Sequence, residues 1–315
     1  MTPIGKPRPQ SPTTGTTAAK LPPVLSLLGR VPLGVARAIG AALGCVCWVC
    51  SSGYRRKVRT NLKIAGYDDG KVRRQAIAQM GRLIAESPYI WAHTPREIGE
   101  RIQVNCSPED AAQIAQAEGR GNGVLVLTPH LGSFEVAARY YATHRLITVL
   151  FKPAKIKWVN RWLAAAREVD GVNAVPTNIG GLRSMLRTLR RGDIVGLLPD
   201  QVPTDGDGEW AHFFGQPAYT MTLPQRLVEM TGCSVVICVG ERLPGARGWR
   251  MRFEPMNEAP TPEAINKRFE RLIRQMPGQY LWAYNRYKQP PGNEAPNKRP
   301  VVSPLASAVS DATGQ

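Results

Sequence analysis

The sequence GVLVLTPHLGSFE, residues 123–135, decides the fold of this chain. It begins with a short aliphatic run between a glycine and a proline, which is typical of a strand covered on both faces. Gly132 and Ser133 follow, and they are suited to the start of a helix whose first turn contains Glu135. We therefore predict a strand-to-helix corner in an α/β sheet, with His130 at the corner.

The same pattern returns along the rest of the chain. Aliphatic runs predict strands at 146–151, 193–198 and 233–240, and further strands are expected at 248–254 and 280–284. Apolar residues with helical spacing predict helices at 71–92, 108–118, 159–169, 181–191, 223–231 and 262–275. This alternation predicts an α/β fold with a central, mostly parallel sheet flanked by helices.

The amino-terminal region is apolar and lacks acidic residues. Residues 38–54 contain no charge, and the first acidic residue is Asp68. Three interpretations compete for this region: a membrane-anchoring helix, a cleaved signal peptide and a buried core helix. The basic run at 55–59 resists translocation, which disfavours the signal peptide. We predict a membrane-anchoring helix at 23–54, from which Arg37 snorkels to the membrane surface.

Composition divides the remainder of the chain. Residues 1–22 and 291–315 are rich in proline and in small or polar residues and lack apolar periodicity. Both are predicted to be disordered tails, because such segments bury too little apolar surface to become ordered. Residues 55–290 are expected to form the functional domain.

The net charge of +17 implies anionic partners. These are nucleic acid, a negatively charged membrane surface or an acidic carrier protein. No helix-turn-helix, RNP-like or zinc-finger pattern accompanies the charge, so a basic nucleic-acid-binding protein is kept only as an alternative of another class. The six cysteines form no paired CxxC motifs and the four histidines no HExxH motif, which predicts a reduced cytoplasmic chain without a metal.

His130 and Glu135 are candidates for acid–base chemistry. A neutral imidazole is well matched to accepting a proton near neutral pH, and a carboxylate on its other nitrogen would fix its tautomer. A strand-to-helix corner would let the two side chains converge, which the same spacing on one straight helix would not. The pattern alone also fits a structural histidine followed by a glutamate that favours a helix N-terminus.

Further motifs support the functional interpretation. They are the His-x4-Glu pattern at 130–135, RRKVRTNL at 55–62, LPDQ at 198–201, FFG at 213–215 and PGQYLW at 277–282. In their order and spacing the chain resembles the lysophospholipid acyltransferase superfamily, and more closely its branch of bacterial lipid A late acyltransferases. The resemblance covers most of residues 30–290. It departs at Ser133-Phe134, where many relatives carry Asn-Trp.

The resemblance implies a glycerolipid acyltransferase-like fold and a specific reaction. A fatty acyl group would pass from an acyl carrier protein thioester to a hydroxyl of a lipid A precursor, without a cofactor or a covalent enzyme intermediate. His130 would act as general base and Glu135 would hold it, while backbone amides near Gly132 and Ser133 would bind the oxyanion. The enzyme would sit at the inner membrane with its catalytic domain on the cytoplasmic side. A glycerolipid or lysophospholipid acyltransferase is the alternative within the superfamily.

Four more residues are expected to contact substrate. The resemblance places basic residues at Lys152 and Arg167 beside the substrate, and the alternative is a solvated basic face. Asp200 and Gln201 follow a buried strand, the usual place for sites in open sheets, although turn chemistry is the other interpretation. The predicted docking face for an acidic carrier protein consists of Lys152, Lys155, Lys157, Arg161 and Arg167. Phe213, Phe214 and Tyr219 are interpreted either as an acyl pocket or as plain core.

Overall fold

The computed structural model describes residues 21–67, 69–151, 160, 162, 169–292 and 295. The helices are α1 Pro23–Gly29, α2 Leu33–Cys50, α3 Ser52–Ile64, α4 Gly70–Ala92, α5 Pro95–Gly99, α6 Pro108–Gly119, α7 Glu135–Ala142, α8 Ile179–Arg190, α9 Leu223–Thr231 and α10 Pro262–Gln275. The strands are β1 Ile102–Asn105, β2 Val124–Leu127, β3 Ile147–Phe151, β4 Val172–Pro176, β5 Ile194–Leu197, β6 Gly208–Phe213, β7 Gln216–Met221, β8 Ser234–Arg242 and β9 Trp249–Met256.

Seven strands form one sheet in the order β1-β9-β8-β2-β5-β3-β4. Every neighbouring pair is parallel except β8 and β9, which are antiparallel. Strands β6 and β7 form a separate antiparallel hairpin. The predicted α/β fold with a mostly parallel sheet is confirmed.

The burial of strand β2 accounts for its continuous aliphatic sequence. All four of its residues are at most 1% exposed. Leu125 and Leu127 point into a core that includes residues of α3, α8, α9 and α10, whereas Val124 and Val126 point into a second core that includes residues of α4 to α7. Because both faces of the sheet are covered, each residue of the strand has to be apolar.

One expectation about the elements is wrong, a second falls mostly on residues that the structure does not describe, and one hairpin was not expected. Residues 280–284 do not form a strand, since only Tyr280 makes an isolated bridge, to Leu131. The side-chain amide of Asn61 donates to the carbonyls of Trp282 and Tyr284, so these carbonyls bind a helix side chain instead of a neighbouring strand. The predicted helix at 159–169 lies outside the described residues except at its positions 160, 162 and 169. The hairpin of β6 and β7 was not predicted.

The region 23–54 contains α1, α2 and the start of α3 instead of one helix. Ser51, in an extended conformation, separates α2 from α3. Helix α2 is long and apolar enough to cross a membrane. One face of it packs closely on α4, where a Cβ on Gly81 would lie 1.8 Å from the carbonyl oxygen of Gly40 and one on Gly40 would lie 2.5 Å from that of Gly81. Glycine at both positions lets the two backbones touch.

A buried ion cluster also joins α2 to the domain. The Nε atoms of Arg37 and Arg242 donate to the two carboxylate oxygens of Glu86, at 2.8 and 2.7 Å. Glu86 is fully buried and each arginine is only 3% exposed. Arg37 also donates to the carbonyls of Leu243 and Gly248. The expectation that Arg37 snorkels to a membrane surface is therefore wrong, because its guanidinium is held inside the protein.

Glu86→Gln is expected to destabilise the fold by about 3–5 kcal/mol, because it leaves two buried guanidinium ions without their shared carboxylate. Urea denaturation of the purified chain measures this loss. The matched control is Glu100→Gln, which breaks an exposed pair with Arg96 and should cost about 0.2–1 kcal/mol. Equal losses for the two variants would contradict the structural role assigned to the cluster.

Candidate active site

The register of the sheet brings His130 and Asp200 together. Leu127 of β2 lies opposite Leu197 of β5, and each of the two side chains follows three residues beyond its strand. The Nδ1 atom of His130 lies 2.6 Å from Oδ1 of Asp200, and the His130 backbone N–H donates to Oδ2 at 2.9 Å. The site therefore occupies the carboxyl edge of two parallel strands, as expected for an open α/β sheet.

The partners of His130 define its tautomer. The Asp200 carboxylate only accepts hydrogen bonds when it is ionised, so Nδ1 carries the proton. The side-chain nitrogen of Gln201, as its amide is oriented here, lies 3.0 Å from Nε2 and only donates. In the neutral form of the ring the proton therefore lies on Nδ1, and the Nε2 lone pair accepts from the Gln201 amide, whose place another proton donor could take.

Asp200 is built to stay ionised. Its side chain is 2% exposed, and this burial by itself would raise its pKa. The charge and the hydrogen bonds of His130, together with the charge of Arg286, outweigh burial and hold the pKa of Asp200 below its usual value. The carboxylate can therefore stabilise a positive charge on the imidazole.

The structure places the predicted residues Asp200 and Gln201 beside His130, whereas the role assigned to Glu135 changes. Nδ1 has one hydrogen-bonding direction, and Asp200 occupies it. Glu135 is the first residue of α7 and lies one turn before the buried Arg139. Burial lowers the pKa of Arg139 to about 10, and the negative charge of Glu135 opposes that shift. Glu135 is thus not the group that fixes Nδ1.

The corner between β2 and α7 uses its backbone amides to hold its own shape. The N–H of Gly132 donates to the carbonyl of Gln279 at 3.0 Å, and that of Ser133 to the carbonyl of Gly240 at 2.7 Å. The expectation that these two amides bind an oxyanion is therefore wrong, because both are already paired. Gly132 has a φ of +64°, and a Cβ there would lie 2.1 Å from the Gly240 carbonyl oxygen, so only glycine fits.

Two other segments hold the corner in place. The Nη2 atom of Arg242 donates to the carbonyl of Gly132 at 2.8 Å, and the N–H of Leu281 donates to the carbonyl of His130 at 3.1 Å. The ring of Phe134 packs edge-on against the imidazole, with 4.8 Å between centroids. Sequence reasoning missed Arg242, because an arginine in β8 gives no local signal of a contact 110 residues away.

Several predicted substrate residues cannot be placed. Lys152 and Arg167 lie outside the described residues, and so do Lys155, Lys157 and Arg161 of the expected docking face. Phe213, Phe214 and Tyr219 are buried, at 1%, 6% and 2% exposed. Phe213 and Phe214 belong to the core between the sheet and its flanking helices, in agreement with the interpretation as plain core.

Comparison with known proteins decides the family. Residues 14–289 match the model of the family described as bacterial lipid A biosynthesis acyltransferase. The chain belongs to this family. The acyltransferase is 23% identical to the lipid A biosynthesis lauroyltransferase of Escherichia coli (strain K12) over 284 residues, which are 85% of this chain and 90% of that relative.

Two further relatives carry related names. The lipid A biosynthesis palmitoleoyltransferase of Escherichia coli (strain K12) and a lipid A biosynthesis acyltransferase of Shigella flexneri are each 22% identical over 284 residues, or 86% of this chain and 91% of each relative. The family predicted from the motifs is confirmed, and with it an acyltransferase of lipid A biosynthesis.

Proposed function

We propose that this acyltransferase moves a fatty acyl group from an acyl carrier protein thioester to a hydroxyl of a lipid A precursor, with His130 as general base. The single observation that carries the mechanism is the hydrogen bond between Nδ1 of His130 and the buried Asp200, which leaves Nε2 as the proton acceptor. The family match supports acyl transfer to lipid A.

The reaction proceeds without a covalent enzyme intermediate. The acceptor hydroxyl displaces the Gln201 amide at Nε2, gives its proton to that nitrogen and forms a C–O bond to the thioester carbonyl carbon. Collapse of the tetrahedral intermediate breaks the C–S bond, and the imidazolium returns the proton to the leaving sulfur. Asp200 stabilises the imidazolium between these steps.

The Gln201 amide is the donor proposed for the oxyanion. It lies 3.0 Å from Nε2, so displacement by the acceptor hydroxyl leaves it next to the reacting carbonyl. Donors fixed beside a developing negative charge stabilise the transition state more than the ground state. The amide thus replaces the paired Gly132 and Ser133 amides in this role.

Gln201→Leu, which keeps a side chain of similar size and removes the donor, is expected to lower kcat by about 10²-fold, the usual loss when one oxyanion donor is removed. The KM for the acceptor should stay within about threefold of wild type, since the amide acts on the transition state. Steady-state kinetics measure both values. A higher KM with unchanged kcat would assign Gln201 to acceptor binding alone.

Glu135, Lys152 and Arg167 remain part of the proposal, Glu135 with a changed role. Glu135 adds a second carboxylate at the corner that carries His130, and it is proposed to act on the substrate or the imidazolium without holding Nδ1. Lys152 and Arg167 are proposed to contact the phosphates of the acceptor or the acidic donor protein. The chain's net charge of +17 supports both partners.

Helix α2 is proposed to attach the enzyme to the cytoplasmic side of the inner membrane. Its exposed face carries Val35, Ile39, Leu43, Val46 and Val49, each about half exposed or more. The opposite face is fixed to α4 by glycine contacts and by Arg37. This arrangement supports a helix that meets the bilayer side-on, with the basic start of α3 on the cytoplasmic side.

The proposed function is tested by offering the purified enzyme two donors and two acceptors. We expect transfer from an acyl carrier protein thioester to a lipid A precursor, with the same acyl group on coenzyme A used poorly. Mass spectrometry should show one added ester on the precursor. Faster acylation of a lysophospholipid than of the lipid A precursor, in direct competition, would overturn the proposed acceptor. Faster transfer from the coenzyme A thioester than from the carrier protein thioester would overturn the proposed donor.

A further inference from the structure

A cationic cleft lies between α3 and α4, away from the His130 pair. It has a volume of about 370 Å³ and is lined by Arg59, Thr60, Leu62, Lys63, Tyr67 and Arg73. Leu62 is buried, whereas Arg59, Thr60 and Lys63 are exposed. The cleft thus presents three positive charges and two hydroxyl groups on one side of the molecule.

No carboxylate among the described residues pairs with the positive charges of this cleft. Within the described part of the chain, none of the three basic residues forms an ion pair, and no carboxylate lines the cleft. Like charges in water repel one another weakly, and an anion bound between them would relieve that repulsion. Guanidinium and ammonium groups beside hydroxyls suit the several oxygens of a phosphate group.

The apolar face of α2 ends beside this cleft. The guanidinium of Arg59 stacks on the ring of Trp48, 5.3 Å from the ring centroid. The Nη1 atom of Arg55 donates to the carbonyl of Trp48 at 2.7 Å, which fixes the end of α2 against α3. Val49 in the last turn is 72% exposed. A lipid with its chains along α2 would therefore carry its headgroup towards the cations.

We propose that the Arg59–Lys63–Arg73 cleft binds the phosphate of an anionic membrane phospholipid, such as phosphatidylglycerol. The proposal rests on the membrane attachment by α2 described above. Continuity of the cleft with an exposed apolar helix favours a phospholipid of the bilayer over a free phosphate. The cleft then sets which membrane surface the enzyme occupies, independently of the chemistry at His130.

The test is flotation of the purified full-length chain with vesicles at 0.15 M salt. Wild type should bind vesicles containing phosphatidylglycerol more tightly than vesicles of phosphatidylcholine alone. Arg59→Gln/Lys63→Gln/Arg73→Gln should weaken binding to the anionic vesicles by about fivefold for each cation, or roughly 100-fold in total. If this variant fails to fold, Lys63→Gln/Arg73→Gln keeps the stacking of Arg59 on Trp48 and should lose about 25-fold.

The matched control removes three charges from another helix. Arg183, Arg187 and Arg190 lie on α8 and are exposed, and their replacement by glutamine should change binding by less than about threefold because salt screens distant charges. Equal losses for the two triple variants would overturn the proposal, since net charge alone would then explain binding. A second outcome would also overturn the proposal. If the cleft variant floats like wild type but no longer shows the rise in melting temperature that inorganic phosphate causes in wild type, the cleft binds free phosphate instead of a phospholipid.

Two variants distinguish a failure of the phospholipid proposal from a failure of the proposed function. His130→Ala should float like wild type, and the cleft variant should retain wild-type kcat on an acceptor presented in detergent micelles. If the wild type floats with anionic vesicles but transfers no acyl group, only the proposed reaction is overturned. A higher KM for the micellar acceptor in the cleft variant, with flotation unchanged, would assign the cleft to the acceptor and overturn the membrane proposal.

Discussion

His130→Ala is expected to lower kcat for acyl transfer by about 10³–10⁴-fold, because the acceptor hydroxyl loses the base that takes its proton. The buried Asp200 carboxylate orients the imidazole through Nδ1, and Nε2 becomes the proton acceptor when the acceptor hydroxyl displaces the Gln201 amide. Single-turnover kinetics with the acyl carrier protein thioester isolate the chemical step from product release.

The control for this variant is its fold and its substrate binding. His130 is 14% exposed, so its truncation should leave a small loss of packing against Phe134. Thermal unfolding of the variant should remain cooperative. Its Kd for the acyl carrier protein should stay within about threefold of wild type, since the general base acts on the transition state and not on substrate binding. Wild-type turnover by His130→Ala would remove the imidazole from the mechanism.

Asp200→Asn is expected to lower kcat by about 10³-fold, because an amide can no longer fix Nδ1–H or stabilise the imidazolium. The matched control is Asp207→Asn, an exposed position in the loop that follows, which should keep kcat within about twofold. If both substitutions lowered kcat by comparable factors, the effect would come from a disturbed loop and not from the lost bond to His130.

The same substitution has a consequence for stability against pH. The folded pKa of Asp200 lies below its usual value of 3.8, so its stabilising contribution is present above that pH and is lost as pH falls through the lower folded value. Asp200→Asn removes this contribution. In urea denaturation the wild type should therefore lose its advantage over the variant as the pH falls below about 4. A constant difference would contradict the stabilisation of the Asp200 carboxylate by His130 and Arg286.

Much of the sheet could be predicted from the sequence because its central strands are buried on both faces. The runs at 123–128 and 193–198 contain β2 and β5 with an error of one residue at each end. Such a run carries its signal locally, as each residue is apolar. Residues 280–284 are apolar as well, but Asn61 of a distant helix takes two of their carbonyls, and that contact has no trace in the local pattern.

The sequence predicted which residues lie at the candidate site but not which carboxylate bonds to His130. His130, Asp200 and Gln201 each stand at a strand end, which sequence patterns indicate. Which carboxylate reaches Nδ1 depends on β2 and β5 being neighbours in register, a fact of tertiary structure. The pairing of Arg37 with Glu86 is of the same kind, because 49 residues separate two charges that meet only when α2 packs on α4.

The central claim is that His130 and Asp200 act as one unit in acyl transfer, and a double-mutant cycle tests it most directly. Single-turnover rates are measured for wild type, His130→Ala, Asp200→Asn and the double variant. If Asp200 acts only through His130, the double variant should match His130→Ala within about threefold, because residues that work as a unit are not additive. A double variant slower than His130→Ala by the full factor seen for Asp200→Asn alone would contradict the account.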